Sequence, residues 1–142
     1  MNRAAETHRI LVTSRAGRRC EYCHYPQRAT NTLLEIEHLI PRSKGGETIP
    51  QNLALACRRC NNHKSNKTDG IDPLTGERVR LFNPRLDDWN NHFHLNLRTG
   101  EIDGCTAIGR VTAQELSMNE PMAIANRLLL IESGLFFTHN DG

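Results

Sequence analysis

Four cysteines in two C-x-x-C pairs carry the strongest chemical signal in this sequence: Cys20 with Cys23 in "CEYC", and Cys57 with Cys60 in "CRRC". In each pair a tight turn lets two thiolates point at one ion, and two such turns make a tetrahedral four-thiolate site. Zinc suits four soft sulfur donors. A site with four protein ligands is closed, so the metal is expected to hold the fold together and not to react. A redox role fits less well, because thioredoxin-like pairs come singly on a β-α-β unit and no such pattern surrounds these. The fifth cysteine, Cys105, reads as a small buried apolar residue.

Between the pairs stands "LEIEHLIPRSKGG", residues 34–46, with Glu37 directly beside His38. A neutral imidazole can take a proton from water near neutral pH. Asn61 follows Cys60. If a helix opens near Cys60, 100° per residue puts Asn61 and Lys64 on one face, with His63 about 200° away from Asn61. Asn61 and His63 therefore cannot both face the strand; phase and residue order favour Asn61, with His63 as the alternative. Carboxylate and amide oxygens are hard donors that suit Mg²⁺ or Mn²⁺. An imidazole, a carboxylate and an amide in one cleft, beside an oxygen-ligated divalent ion, read as phosphodiester hydrolysis.

The charge distribution points the same way. The net charge is only +2, but Arg42, Lys44, Arg58, Arg59, Lys64 and Lys67 face a single acid, Glu47, between residues 42 and 67. Such a cluster is a footprint for phosphate. The sole tryptophan and all four phenylalanines lie after Arg80. With few aromatics near the cluster to stack exposed bases, duplex DNA is the expected partner.

These residues need elements to position them. Residues 4–16 read as a helix ended by Gly17. "TNTLLEIEHLI" reads as a strand, Leu34, Ile36 and His38 alternating with Glu35, Glu37 and Leu39. "PRSKGGETIPQN" is a loop, and "LALACRRCNNHK" passes from a short strand through the second knuckle into a short helix. One ion at the four cysteines would clamp this strand–loop–strand–helix unit. Residues 68–84 read as loop-rich and 89–97 as a strand, with His92 and His94 on a polar face and Trp89, Phe93 and Leu95 packing; a hairpin is expected over 93–107. "EPMAIANRLLLIESG" reads as a helix, Pro121 in its first turn and Gly134 at its end.

The segment from about Cys20 to Lys64 resembles the HNH endonucleases of the ββα-metal superfamily in their zinc-ribbon, four-cysteine form. Several features coincide in order: both C-x-x-C pairs, an acid–His pair followed by Ile-Pro, a Gly-Gly loop, Asn-Leu, and Cys-Asn-x-x-Lys. The resemblance implies a small ββα-metal finger with His38 as general base and Asn52 bracing the loop that orients it. Asn61 would occupy the third position, as in H-N-N variants, and ligate the catalytic Mg²⁺ or Mn²⁺ together with Glu37. Cys20, Cys23, Cys57 and Cys60 would hold a structural Zn²⁺. The expected fold class is α+β: residues 1–67 as the nuclease core, and 68–142 as an α+β extension packing on it without forming an independent domain. The expected activity is metal-dependent hydrolysis of double-stranded DNA. A non-catalytic zinc-ribbon nucleic-acid-binding module is the alternative.

Size and composition set the remaining bounds. A chain of 142 residues with 5% aromatic content builds a modest core, which a metal staple would help. No run approaches the length of a membrane span, and the N-terminus lacks the apolar stretch of a signal peptide. A cytoplasmic protein, where disulfides are disfavoured, is therefore expected.

Overall fold

The computed structural model describes residues 3–137. It is a mixed α+β fold: short helices and three separate two-stranded antiparallel sheets. The N-terminal helical stretch is broken. α1 (Arg3–Glu6) and α2 (Arg9–Arg15) replace the single expected helix, with Thr7 and His8 between them. Gly17 at φ 65° turns the chain into the first knuckle, a conformation glycine adopts without a Cβ clash.

β1 (Glu35–His38) pairs with β2 (Leu53–Ala56), Glu35 opposite Ala56 and His38 opposite Leu53. Leu34, Leu53, Leu55 and Val12 of α2 form one buried cluster, against which Ile36 packs. Each such leucine contributes roughly 1.5–3 kcal/mol by burial. α3 (Arg58–Lys64) follows at once, its first turn capped by the Cys57 sulfur accepting from the Cys60 amide at 3.4 Å.

Residues 68–84 are not all loop: β3 (Asp69–Ile71) and β4 (Arg78–Arg80) form a hairpin. The sequence hid it because each strand has three residues and turn signals surround both. The expected strand at 89–97 starts instead as a helical turn, α4 (Trp89–His92), capped by Asp88, and only then becomes β5 (Phe93–Leu95). β5 pairs with β6 (Ile102–Gly104), so the expected hairpin is present. α5 (Ala107–Glu115), which the sequence reading did not assign, is capped by Thr106 and packs on β6. Gly109 permits this contact, since a Cβ there would meet the His92 carbonyl at 2.0 Å. α6 (Pro121–Glu132) matches the last expected helix, and Gly134 follows at φ 76°.

The main core joins both halves of the chain. Cys20, Tyr22, Cys23 and Cys60 share it with Phe82, Phe93, Ile102, Val111, Leu116 and Met118. Asp72, fully buried, takes both guanidinium arms of Arg110 at 3.0 and 2.9 Å and so ties the β3–β4 turn to α5. Among the described residues, no helix is long and apolar enough to cross a membrane.

Candidate active site and zinc knuckles

The two knuckles converge. The sulfur atoms of Cys20, Cys23, Cys57 and Cys60 all lie within 4.8 Å of one another, and Cys23 and Cys57 are 3.7 Å apart. Sulfurs around a tetrahedral zinc at about 2.3 Å stand about 3.8 Å apart, so the donor set fits the ion. Each knuckle has its own amide-to-sulfur hydrogen bond, from Cys23 to Cys20 at 3.5 Å and from Cys60 to Cys57 at 3.4 Å. Cys105 is not here and is not buried: it lies exposed after β6, corrected by a hairpin end that faces solvent.

His38 ends β1 with its ring half-buried. Its Nε2 lies 2.8 Å from the Thr48 hydroxyl, on the Gly-Gly loop. That loop is fixed by Asn52. The Asn52 side chain accepts from the Ile40 amide at 2.9 Å and donates to the Ile40 and Glu47 carbonyls at 3.0 and 2.9 Å. Gly46 is required for the turn, since a Cβ would collide with the Ile40 carbonyl oxygen at 1.7 Å. Burial, with the charges of Arg42 and Lys64, holds the His38 pKa below the ordinary histidine value, so its ring is neutral at neutral pH.

The two acids of β1 share one face, since side chains alternate along a strand. Glu37 is buried. Its carboxylate accepts from the Tyr22 hydroxyl and pairs with the Lys64 ammonium at 3.0 Å. Burial pushes its pKa up, against the opposing pull of Lys64 and Tyr22. Lys64 also donates to the His38 and Leu39 carbonyls, both at 3.2 Å, so three oxygens surround one cation. Asn61 meets the other acid: its Nδ2 donates to Glu35 at 2.8 Å, and Glu35 also pairs with Arg58 at 3.3 Å. Glu35, Arg58 and Asn61 line a cavity of about 560 Å³ that reaches α1. His63 points elsewhere, 3.9 Å from Glu120 after α5.

The structure thus differs from the single expected cleft. Glu37 and His38 are neighbours on a strand and project to opposite faces, and Asn61 lies over Glu35. The six cations also part company. Lys64 is 2% exposed and makes no surface for phosphate. Arg59 is tied to Glu120 at 2.7 Å and to the Ser117 carbonyl, Lys67 stands 4.0 Å from Glu115, and Arg58 is paired but largely exposed. Arg42 and Lys44 are exposed beside the Gly-Gly loop. The extension supplies acids to α3 that lie far from it in sequence, which local charge counting cannot register. Thr48, Glu35 and Tyr22 went unassigned in the sequence reading. The shared face of Glu35 and Glu37 was readable from their spacing; the partners across elements were not.

The order of cysteine pairs, acid–His, Asn and Asn thus falls on the first knuckle turn, β1, the 3₁₀ turn before β2, and α3 with its N-cap. Residues 20–67 match the family model of the HNH endonucleases. No curated protein and no solved structure gives a significant match to the chain. The HNH segment contains His38, Asn52, Asn61 and all four knuckle cysteines. It stops before the β3–β4 hairpin, so the remaining residues lie outside the family match.

Proposed function

We propose that this protein is a metal-dependent endonuclease that hydrolyses phosphodiester bonds in double-stranded DNA, with a structural Zn²⁺ at Cys20, Cys23, Cys57 and Cys60. The observation that carries the reading is His38: a neutral, half-buried imidazole held at one nitrogen by a loop that Asn52 braces. When the Thr48 hydroxyl accepts from Nε2–H, the tautomer is fixed and the Nδ1 lone pair is free to take a proton from water. Thr48 and Asn52 then act as positioning residues for the base.

Glu37 and Asn61 are the residues that the family resemblance assigns to a Mg²⁺ or Mn²⁺, which when bound supplies Lewis-acid stabilisation of charge on the phosphate oxygens; Glu37 is buried against Tyr22 and Lys64, so it would ligate only on giving up that ion pair. One feature supports Asn61 as a ligand. Glu35 can only accept, so it takes the Asn61 Nδ2 and leaves the hard Oδ1 free as a ligand. Arg42 and Lys44 are the exposed phosphate contacts, with Arg58 beside Asn61.

The test is cleavage of a supercoiled plasmid with added Mg²⁺ or Mn²⁺, comparing wild type with His38→Ala. The expected result is cleavage that depends on the ion and is lost in the variant, with zinc content and melting temperature unchanged. DNA binding without cleavage by the wild type would favour the non-catalytic zinc-ribbon module.

A further inference from the structure

Arg127 is a charged residue that the nuclease reading does not use. It projects from the middle of α6 into the core, 3% exposed. Its guanidinium donates to three neutral oxygens: the Gly100 carbonyl at 2.6 Å, the Met118 carbonyl at 2.8 Å and the Asn119 side chain at 3.4 Å. Among the described residues, no carboxylate forms a salt bridge with it. Neutral oxygens satisfy donors but do not balance a charge, and a buried cation without a counter-charge is costly.

An oxygen that holds Arg127 shares the core of the knuckles. Met118 belongs to the same buried cluster as Cys20, Cys23 and Cys60. Arg59, the residue before Cys60, donates to the carbonyl of Ser117, next to the Met118 carbonyl that Arg127 uses. Burial, and after it the charge of Arg59, oppose the charge of Arg127, and the sulfurs of Cys23, Cys60 and Cys57 favour it. Four thiolates around one Zn²⁺ carry a net charge of about −2, also in a buried place. Arg127 thus lacks a carboxylate partner among the described residues, and the sulfur centre is the source of negative charge that its position favours.

We infer that Arg127 is the buried counter-cation of the four-thiolate centre, so that the C-terminal helix is electrostatically part of the zinc site. The inference rests on zinc being bound at the four cysteines, and it is independent of whether the protein cuts DNA. Partners beyond the ligands tune metal sites, and their loss lowers metal affinity by about 10–100-fold.

The test separates charge from hydrogen bonding. Zinc affinity is measured at one fixed pH by competition with a chromophoric chelator, for wild type, Arg127→Lys and Arg127→Gln. Metal analysis of the wild type comes first; absence of zinc there would remove the premise and is a distinct failure. Arg127→Lys keeps the charge and loses the planar fork, and is expected to stay within a few-fold of wild type. Arg127→Gln keeps donors and loses the charge, and is expected to bind zinc about 10-fold or more weakly. Equal affinities for Lys and Gln, or Gln near wild type, would overturn the assignment. If Arg127→Gln does not fold at saturating zinc while Arg127→Lys does, the charge is required and the assignment stands. If Arg127→Lys fails as well, the residue serves as a hydrogen-bond fork and the assignment falls.

Discussion

His38 illustrates how a residue's surroundings set its chemistry. Its pKa is lowered by burial first and then by Arg42 and Lys64, so the neutral base persists to lower pH than free histidine, whose pKa is about 6.5. The rate of plasmid cleavage should therefore rise along a limb lying below that value and be flat by neutrality. Removing one of the depressing charges, in Arg42→Ala, should move the limb to higher pH. A limb above the ordinary histidine range, or one indifferent to Arg42, would speak against His38 as the base. Glu35 bears on the other half of the site. In Glu35→Gln the side-chain amide can also donate, so Asn61 no longer has a fixed orientation. The Mg²⁺ concentration for half-maximal cleavage should rise by about 10-fold, on the scale of other supporting partners of metal ligands. An unchanged Mg²⁺ response would exclude this role.

At the scale of elements, α3 against β1 is the joint that matters. Lys64 and Glu37 are both nearly solvent-free, and the pair holds the C-terminal turn of the helix on the strand. Lys64→Ala leaves a carboxylate buried beside Tyr22 and should destabilise the fold by about 3–5 kcal/mol in urea unfolding. Lys64→Met with Glu37→Gln removes both charges and should recover most of that loss. If the double variant is as unstable as Lys64→Ala, the pair is not the source of the effect. The loop after β1 is where duplex DNA should be gripped. Arg42 and Lys44 are exposed there, whereas Arg59 and Lys67 are engaged by the acids of residues 115–120. Arg42→Ala with Lys44→Ala should lower the slope of log affinity against log salt by about 2, nearly equally on unrelated sequences. Arg59→Ala with Lys67→Ala should change it less; the reverse order would place the groove on the opposite side of α3.

At the scale of the whole molecule, the four cysteines close the chain between residues 20 and 60, and the Asp72–Arg110 pair closes it between residues 72 and 110. Chelation of zinc, or Cys20→Ser, should unfold the segment of residues 20–67, read by loss of far-ultraviolet circular dichroism, because metal binding and folding are coupled. Retention of the fold without metal would make the knuckles dispensable. Asp72 has its carboxyl held well below the usual carboxylate range, first by the hydrogen bonds from Arg110. A depressed pKa adds stability above the unfolded value, about 3.9, and that stability is lost as pH falls through it toward the folded value. Asp72→Asn should melt earlier than wild type at neutral pH, and the gap should close as pH drops below about 4. A gap that does not depend on pH would mean that packing, not charge, is what Asp72 contributes.

What the sequence determined by itself is local. The C-x-x-C spacings, the Gly-Gly turn and the Asn52-Leu53 step dictate tight turns, which aim the two sulfurs of each pair together and set one imidazole at the end of a strand. The alternation around Ile36 dictates a hairpin strand, and Pro121 with Gly134 brackets α6. Each of these depends on neighbours within a few residues, so each was readable. Pairings across elements were decided only in three dimensions. Glu37 goes to Lys64 and Asn61 to Glu35, because strand alternation and helix phase set which side chains meet, and neither fixes the register between the two elements. Arg59 goes to Glu120 and Arg127 into the core beside the knuckles, because the extension folds back on α3. A charge count along the chain treats these residues as solvated. Burial and partner choice decide which of them stay open to solvent.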